Sequence, residues 1–237
     1  MKALYSLLTT LSFCFLLMSC QSEVEGEGNI NLHDAKITNF ENLYLEIPAH
    51  VVIEENDSAT CTIACQDNIF NAIYVHCDDK KLIIEANKKF KVQRPVEIRI
   101  TVPKVDYIDI TGNGTVEYNP TNYLKKLCIE LKGKSSVIST INAGEVDINV
   151  IDNGDVILAG RAEVMEGVIS GSGDIHAYDL AVAKCKLEIN GSGNVRCNPS
   201  TLLKAAIHGS GNIYYKGTPE IKSEITGSGQ IKRESNQ

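Results

Sequence analysis

A seven-residue unit recurs seven times in the C-terminal half of this chain, and it constrains the fold more than any other feature. The copies are Ile110-Thr-Gly-Asn-Gly-Thr-Val116, Leu131-Lys-Gly-Lys-Ser-Ser-Val137, Val150-Ile-Asp-Asn-Gly-Asp-Val156, Ile169-Ser-Gly-Ser-Gly-Asp-Ile175, Ile189-Asn-Gly-Ser-Gly-Asn-Val195, Ile207-His-Gly-Ser-Gly-Asn-Ile213 and Ile225-Thr-Gly-Ser-Gly-Gln-Ile231. Successive copies start 21, 19, 19, 20, 18 and 18 residues apart. The first and last columns are wholly aliphatic. Branched residues flanking a Gly-x-Gly step fit strand–turn–strand better than helix. The turn glycines, Gly112, Gly114, Gly171, Gly173, Gly191, Gly193, Gly209, Gly211, Gly227 and Gly229, admit sharp bends. One such unit about every 20 residues signals a parallel β-solenoid. A single coil cannot bury its apolar face, but stacked coils share a continuous core. At roughly 1.5–3 kcal/mol per buried aliphatic side chain, the two columns are a large part of the folding drive.

The copies at 131–137 and 150–156 depart from the pattern, with Ser135 and Asp152 in glycine columns, which predicts differently shaped turns there. Residues 37–105 read as a second kind of β structure. Phe40–Ile47, Val51–Ile53, Leu82–Ala86 and Val96–Val102 are strand-like, and Asp78-Asp-Lys-Lys81 reads as a hairpin turn. Asn68–Val75 is the one stretch with helical period. This half is expected to pair as a sheet at the head of the solenoid. Residues 37–233 then form one continuous all-β body: an N-terminal half at 37–105, a solenoid at 106–233 and a tail at 234–237.

The N-terminus carries an export signal. Lys2 is the only charge among the first 22 residues, and an apolar stretch runs from Leu4 to Met18. That is short for a membrane span, which needs roughly 20 apolar residues, and it fits a signal-peptide core. Leu17-Met-Ser-Cys20 resembles a lipobox, with an aliphatic residue three before the cysteine and small Ser19 just before it. Residues 1–19 are therefore expected to be a lipoprotein signal peptide, cut between Ser19 and Cys20. Acyl chains such as palmitate on Cys20 would anchor the protein to a membrane of the cell envelope, taken as the outer membrane, on its surface or periplasmic face. Residues 20–36, where Gln-Ser-Glu-Val-Glu-Gly-Glu-Gly follows Cys20, read as a flexible acidic tether. Acidic residues behind a lipid cysteine also resemble surface-export signals.

Composition narrows the partners. The chain has a formal net charge of −7 and no Trp. An acidic surface argues against nucleic acid, whose affinity comes mainly from Lys and Arg on phosphates. Cys61, Cys65, Cys77, Cys128, Cys185 and Cys197 remain beyond Cys20. An exported compartment permits disulfides, yet a chain this long builds a core without them. Mostly buried thiols are expected, with a bridge among Cys61, Cys65 and Cys77 left open.

Repeated Gly-Ser-Gly-Asn/Asp-Ile units, the Phe40–Ile53 run and the Val96–Pro103 strand together resemble the putative auto-transporter adhesin, head GIN domain family. The resemblance spans roughly residues 37–231. It implies a right-handed β-helix-like fold on an exported envelope protein, and it implies no catalytic residues.

Three chemical alternatives fit the sequence less well. Gly171-Ser-Gly173 invites a phosphate loop, but such a loop needs a third glycine three residues on and a following helix. His176, Arg196 and Tyr214 stand at that place in three copies. Calcium would have to use the column Thr115, Ser136, Asp155, Asp174, Asn194, Asn212, Gln230. Only Asp155 and Asp174 in it are charged, whereas a hard cation wants several oxygen ligands together. A stacked polar row bonding turn backbone is favoured instead. For catalysis, the five histidines are scattered, and Ser172, Ser192, Ser210 and Ser228 recur as turn residues rather than as one activated serine. A polysaccharide lyase is the enzyme such a fold could host. The favoured expectation is a non-catalytic binding module without cofactor, presenting a rigid face to a glycan or protein. A self-associating envelope module, with Lys232-Arg233-Glu234 guarding the last edge, is the alternative.

Overall fold

The structure is a computed structural model that describes residues 23–234. Ser19, Cys20 and the signal segment lie outside the described residues. Strands β1 (Val24–Glu25) and β2 (Ile30–Ala35) come first, then β3 (Asn42–Leu45), β4 (Ala49–Glu55) and β5 (Thr60–Gln66). Helix α1 (Asp67–Phe70) leads to β6 (Ile73–Asp78), β7 (Lys81–Ala86), β8 (Phe90–Lys91) and β9 (Val96–Val102). The repeats supply β10 (Tyr107–Gly112), β11 (Thr115–Tyr118), β12 (Leu124–Gly133), β13 (Ser136–Asp152) and β14 (Asp155–Gly171). They continue with β15 (Asp174–Ile189), β16 (Asn194–Gly209), β17 (Asn212–Tyr215), β18 (Glu220–Gly227) and β19 (Gln230–Arg233).

The molecule is a parallel β-solenoid. Each repeat turns a corner at its Gly-x-Gly step, and each strand pairs in parallel with the same segment of the next coil. The first aliphatic column is in register from Ile110 through Leu131, Val150, Ile169, Ile189 and Ile207 to Ile225. The second runs from Val116 through Val137, Val156, Ile175, Val195 and Ile213 to Ile231. Ile110 to Ile207 and Val116 to Ile213 are fully buried. One core cluster extends from Phe40 to Ile213.

The N-terminal half is less separate than expected. Strand β3 stacks in parallel on β10, and β4 on β11, so together they form a coil above the first repeat. On their other side β7 pairs in parallel with β3, and β9 with β4, forming a further coil. The stacking order therefore inverts the chain order: the coil made of β7 and β9 sits outermost, and the chain then returns beneath β3 and β4. Antiparallel strands close this end, with β6 on β7, β5 on β9 and β2 on β5.

Two segment assignments need correction. The stretch 20–36 is not wholly a flexible tether: β1 pairs with β8, and β2 is the outermost strand of the cap. Hydrogen bonds to Phe90–Lys91 and to β5 order it despite its acidic composition. The helix expected over Asn68–Val75 is a single turn, Asp67–Phe70. From Ile73 the chain is strand, because the alternation of Ile73, Val75 and Cys77 faces the core and β7 supplies every ladder partner. The Asp78–Lys81 hairpin forms as expected, with Asp79 and Lys80 at φ 43° and 66°.

Candidate functional site

The Gly-x-Gly corners are closed to ligands. The Ser192 and Gly193 N–H groups both donate to the Gly171 carbonyl, one coil earlier, at 2.9 and 3.2 Å. Ser210 and Ser228 donate likewise to Gly191 and Gly209. These turn amides are spent on stacking, so they cannot cradle a phosphate. The second glycine column is required by crowding: a Cβ on Gly193 would lie 2.0 Å from the Gly173 carbonyl oxygen and 2.8 Å from Ile169 Cγ2. The first column is crowded too, since a Cβ on Gly191 would lie 2.2 Å from the Gly171 carbonyl oxygen. Backbone shape adds to this at Gly112, Gly133 and Asp152, which hold φ 103°, 100° and 76°, in the left-handed region that Asp tolerates. The Asp152 turn thus follows its neighbours rather than departing from them. Ser135 fits the second column with its side chain buried, and its Oγ has no hydrogen-bond partner among the described residues.

Asp155 and Asp174 belong to a polar ladder. Asp155 Oδ1 accepts from the Asp174 N–H (3.2 Å), and Asp174 Oδ1 accepts from Asn194 N–H (2.7 Å) and Nδ2 (3.1 Å). Asn194 Oδ1 accepts from Asn212 Nδ2, and Asn212 Oδ1 from the Gln230 N–H, both at 3.2 Å. Arg196 Nη1 also lies 3.4 Å from Asp174 Oδ2. Each carboxylate is therefore engaged by donors of the coil below. Among the described residues, no three of His, Cys, Asp or Glu gather closely enough to hold a metal ion.

A long concave surface lies on the outer face of the strands that precede the corners. It consists of two adjoining depressions of about 490 and 420 Å³ that share Glu166 and Val168. One outward row along it reads Tyr107, Cys128, Asp147, Glu166, Lys186, Lys204, Lys222. The neighbouring row reads Asp109, Glu130, Asn149, Val168, Glu188, Ala206, Glu224. The groove carries charges of both signs. At the end near the cap, Tyr107 Oη donates to Glu130 Oε2 (2.7 Å), and Lys132 Nζ bridges Glu130 (2.9 Å) and Asp109 (3.1 Å). The Lys132 and Tyr107 hydrogen bonds hold the Glu130 carboxyl below its usual range. Toward the C-terminus three lysines follow on consecutive coils. Glu166 holds Lys186 at 2.9 Å and Glu220 holds Lys222 at 3.2 Å, with exposed Lys204 between them.

This groove was not singled out from the sequence, although a signal for it exists. Its two rows are the positions three and one before the first aliphatic column of each repeat. Extending the alignment three residues upstream recovers both rows, because register is constant along the stack.

Among the described residues, the titratable side chains do not assemble into a nucleophile and base. His176 follows the corner, in β15, whereas His208 precedes it, in β16, where its Nδ1 contacts Thr226 Oγ1 at 2.7 Å. His50 contacts Glu117 at 3.0 Å, and His33 stacks on Phe70 and contacts Asp67 at 3.3 Å. Ser172 Oγ meets Ser192 Oγ at 3.2 Å, hydroxyl on hydroxyl.

All six described cysteines are free thiols; Cys61, Cys65, Cys185 and Cys197 are buried, and Cys77 and Cys128 partly so. The bridge left open among Cys61, Cys65 and Cys77 is not formed. Cys61 and Cys65 lie on one strand, four residues or roughly 13 Å apart, beyond disulfide reach. Cys77 Sγ instead contacts Thr38 Oγ1 at 3.2 Å. A hydrogen bond with Cys185, then burial, pushes the Cys197 thiol well up.

The stacked coils, the capped N-terminal end and the outer groove define the class: a parallel β-solenoid that presents a long polar face. The chain belongs to the family described as "Putative auto-transporter adhesin, head GIN domain", whose model matches residues 39–219. It is similar to the crystal structure of a putative adhesin from Bacteroides fragilis, at 26% identity and a TM-score of 0.83, over 89% of this chain and 99% of that one. A putative lipid binding protein from Parabacteroides distasonis shares the fold at 20% identity and a TM-score of 0.75, over 90% and 100% of the two chains. A putative adhesin from Parabacteroides merdae does so at 18% and 0.70, over 90% and 99%. Among curated proteins none matches the sequence.

Proposed function

We propose that this chain is a non-catalytic envelope lipoprotein, anchored through Cys20, whose outer groove binds an extended polymer, glycan or protein, along the stack axis. The observation that carries the reading is the groove from Tyr107 to Lys222. It crosses seven coils, with Lys186, Lys204 and Lys222 about 4.8 Å apart along the axis, as strand spacing requires. A rigid ladder of charge at fixed spacing suits a repeating ligand, since little side-chain order is lost on binding. Family membership and the adhesin neighbours support an envelope-associated binding role. The Leu17-Met-Ser-Cys20 sequence supports the anchor.

Cys20→Ala should move the folded protein from the membrane to the soluble envelope fraction; retention in the membrane overturns the anchor. That soluble form, applied to host glycans, matrix proteins and envelope fractions, should retain a ligand. Lys204→Glu should weaken this binding about tenfold, as expected for one charged contact of roughly 1.4 kcal/mol. Failure of every class to bind, or indifference to Lys204→Glu, overturns the groove as the site.

A further inference from the structure

The two ends of the stack are finished differently. At the N-terminal end, antiparallel β6 and β5 cover the edges of β7 and β9. At the C-terminal end, β18 pairs with β16 along one edge, and among the described residues nothing pairs with the other. All eight residues of β18 are exposed. Ile221 and Ile225 remain 41% and 42% exposed, although Leu203 and Ile207, one coil above them, are fully buried. A free ladder edge beside two exposed isoleucines is a template for another strand. This last coil lies beyond residues 39–219, which the family model matches.

We infer that this edge binds a second copy of the chain, β18 against β18, antiparallel about a two-fold axis through Ser223. The chemistry of Ile221-Lys-Ser-Glu-Ile225 is self-complementary about that residue. With Ser223 on the axis, Ile221 stands opposite Ile225 of the second copy, and Lys222 opposite its Glu224. Two-fold symmetry repeats each pair, giving two isoleucine pairs on the core side and two ion pairs on the groove side. Neighbouring registers lose this match. Centring on Lys222 sets Glu220 against Glu224, and centring on Glu224 sets Ile225 against Ser223. A head-to-tail arrangement would have to use β2 or β6, the outermost strands of the antiparallel cap, whose sequences do not complement β18 in this way, so the association closes at two copies.

Two consequences follow from the geometry. Lys222 and Glu224 line the outer groove, so pairing joins the grooves of both copies across the axis. The caps, and with them β1, fall at opposite ends of a joint stack roughly 80 Å long at about 4.8 Å per strand. If Cys20 is anchored as proposed above, the pair connects two surfaces instead of lying on one. The pairing itself does not depend on that anchor, and its test leaves the anchor aside.

The full chain, kept soluble in mild detergent, is measured by light scattering across a concentration series. A dimer is expected. Lys222→Glu should raise its dissociation constant about tenfold, because it sets like charges opposite each other twice. Adding Glu224→Lys should restore the parent value, which a folding defect would not do. Ser223→Cys should yield an oxidised dimer band absent from the parent and from Lys222→Cys, whose sulfurs would lie beyond disulfide reach. A monomer at every concentration, indifference to Lys222→Glu, no rescue by the charge swap, or equal cross-linking at both positions overturns the proposal.

Discussion

Gly193 illustrates what the repeat demands of a single residue. Its place is kept for glycine by the carbonyl of Gly173 and the methyl of Ile169, so a side chain must push two coils apart. Gly193→Ala should lower unfolding stability by about 1–3 kcal/mol, the range of overpacking in a packed core. Equilibrium denaturation in urea measures it; a loss under about 0.5 kcal/mol would mean the coils can separate locally. Asp152 shows the other kind of demand, since φ and not crowding decides there, and Asp reaches a left-handed φ by itself. The departures in the second and third repeats looked like altered turns from sequence. Residue identity alone did not reveal which of the two demands each position makes.

Among the elements, the aliphatic columns are uniform in sequence but not in energy. Ile207 in β16 is fully buried between coils, whereas Ile225 in β18 is 42% exposed. Ile207→Ala should cost about 2–5 kcal/mol, as for a large-to-small change in a packed core. Ile225→Ala in the dilute protein should cost less than about 1 kcal/mol, since little of its surface leaves water. Equal losses in thermal or chemical denaturation would mean that the last coil is covered. The repeat strands were legible because each meets only its neighbours in sequence, so a constant period fixes register. Of the strands in residues 37–105, β3, β4, β7 and β9 were recognised as strands, but β5, β6 and the partners of all of them were not. Pairing of β3 with both β7 and β10 is a contact across distant sequence, which no local pattern encodes. The single helical turn and the ordering of β1 and β2 were missed for the same reason.

At the scale of the whole molecule, the core extends into the cap and makes stability sensitive to alkali. Burial, then the nearby Asp34 carboxylate, pushes the Cys61 thiol up to about 12. Burial, then Asp67, pushes Cys65 up to about 11. Burial likewise pushes the Tyr118 phenol to about 12, although the Val105 N–H donates to it. An unfolded chain would lose the thiol protons near pH 9 and the phenol proton near 10, before the folded one does. Stability should therefore be flat up to about pH 9 and fall between about pH 9 and 12. Thermal melts across that range check the sign, and Cys61→Ala should flatten the fall.

Solenoid architecture, the seven repeat coils and the two buried columns were determined by the sequence by itself, because stacking repeats the same neighbours at every coil. The polar ladder was also legible, since it needs only the column and the chemistry of Asp and Asn. Only the tertiary structure decided how the stack ends. The upper coil is assembled out of chain order and sealed by antiparallel strands, while the lower one leaves β18 open. An interior coil is defined by its neighbours above and below. An end lacks one of them, and what replaces it must come from elsewhere in the chain or from another molecule.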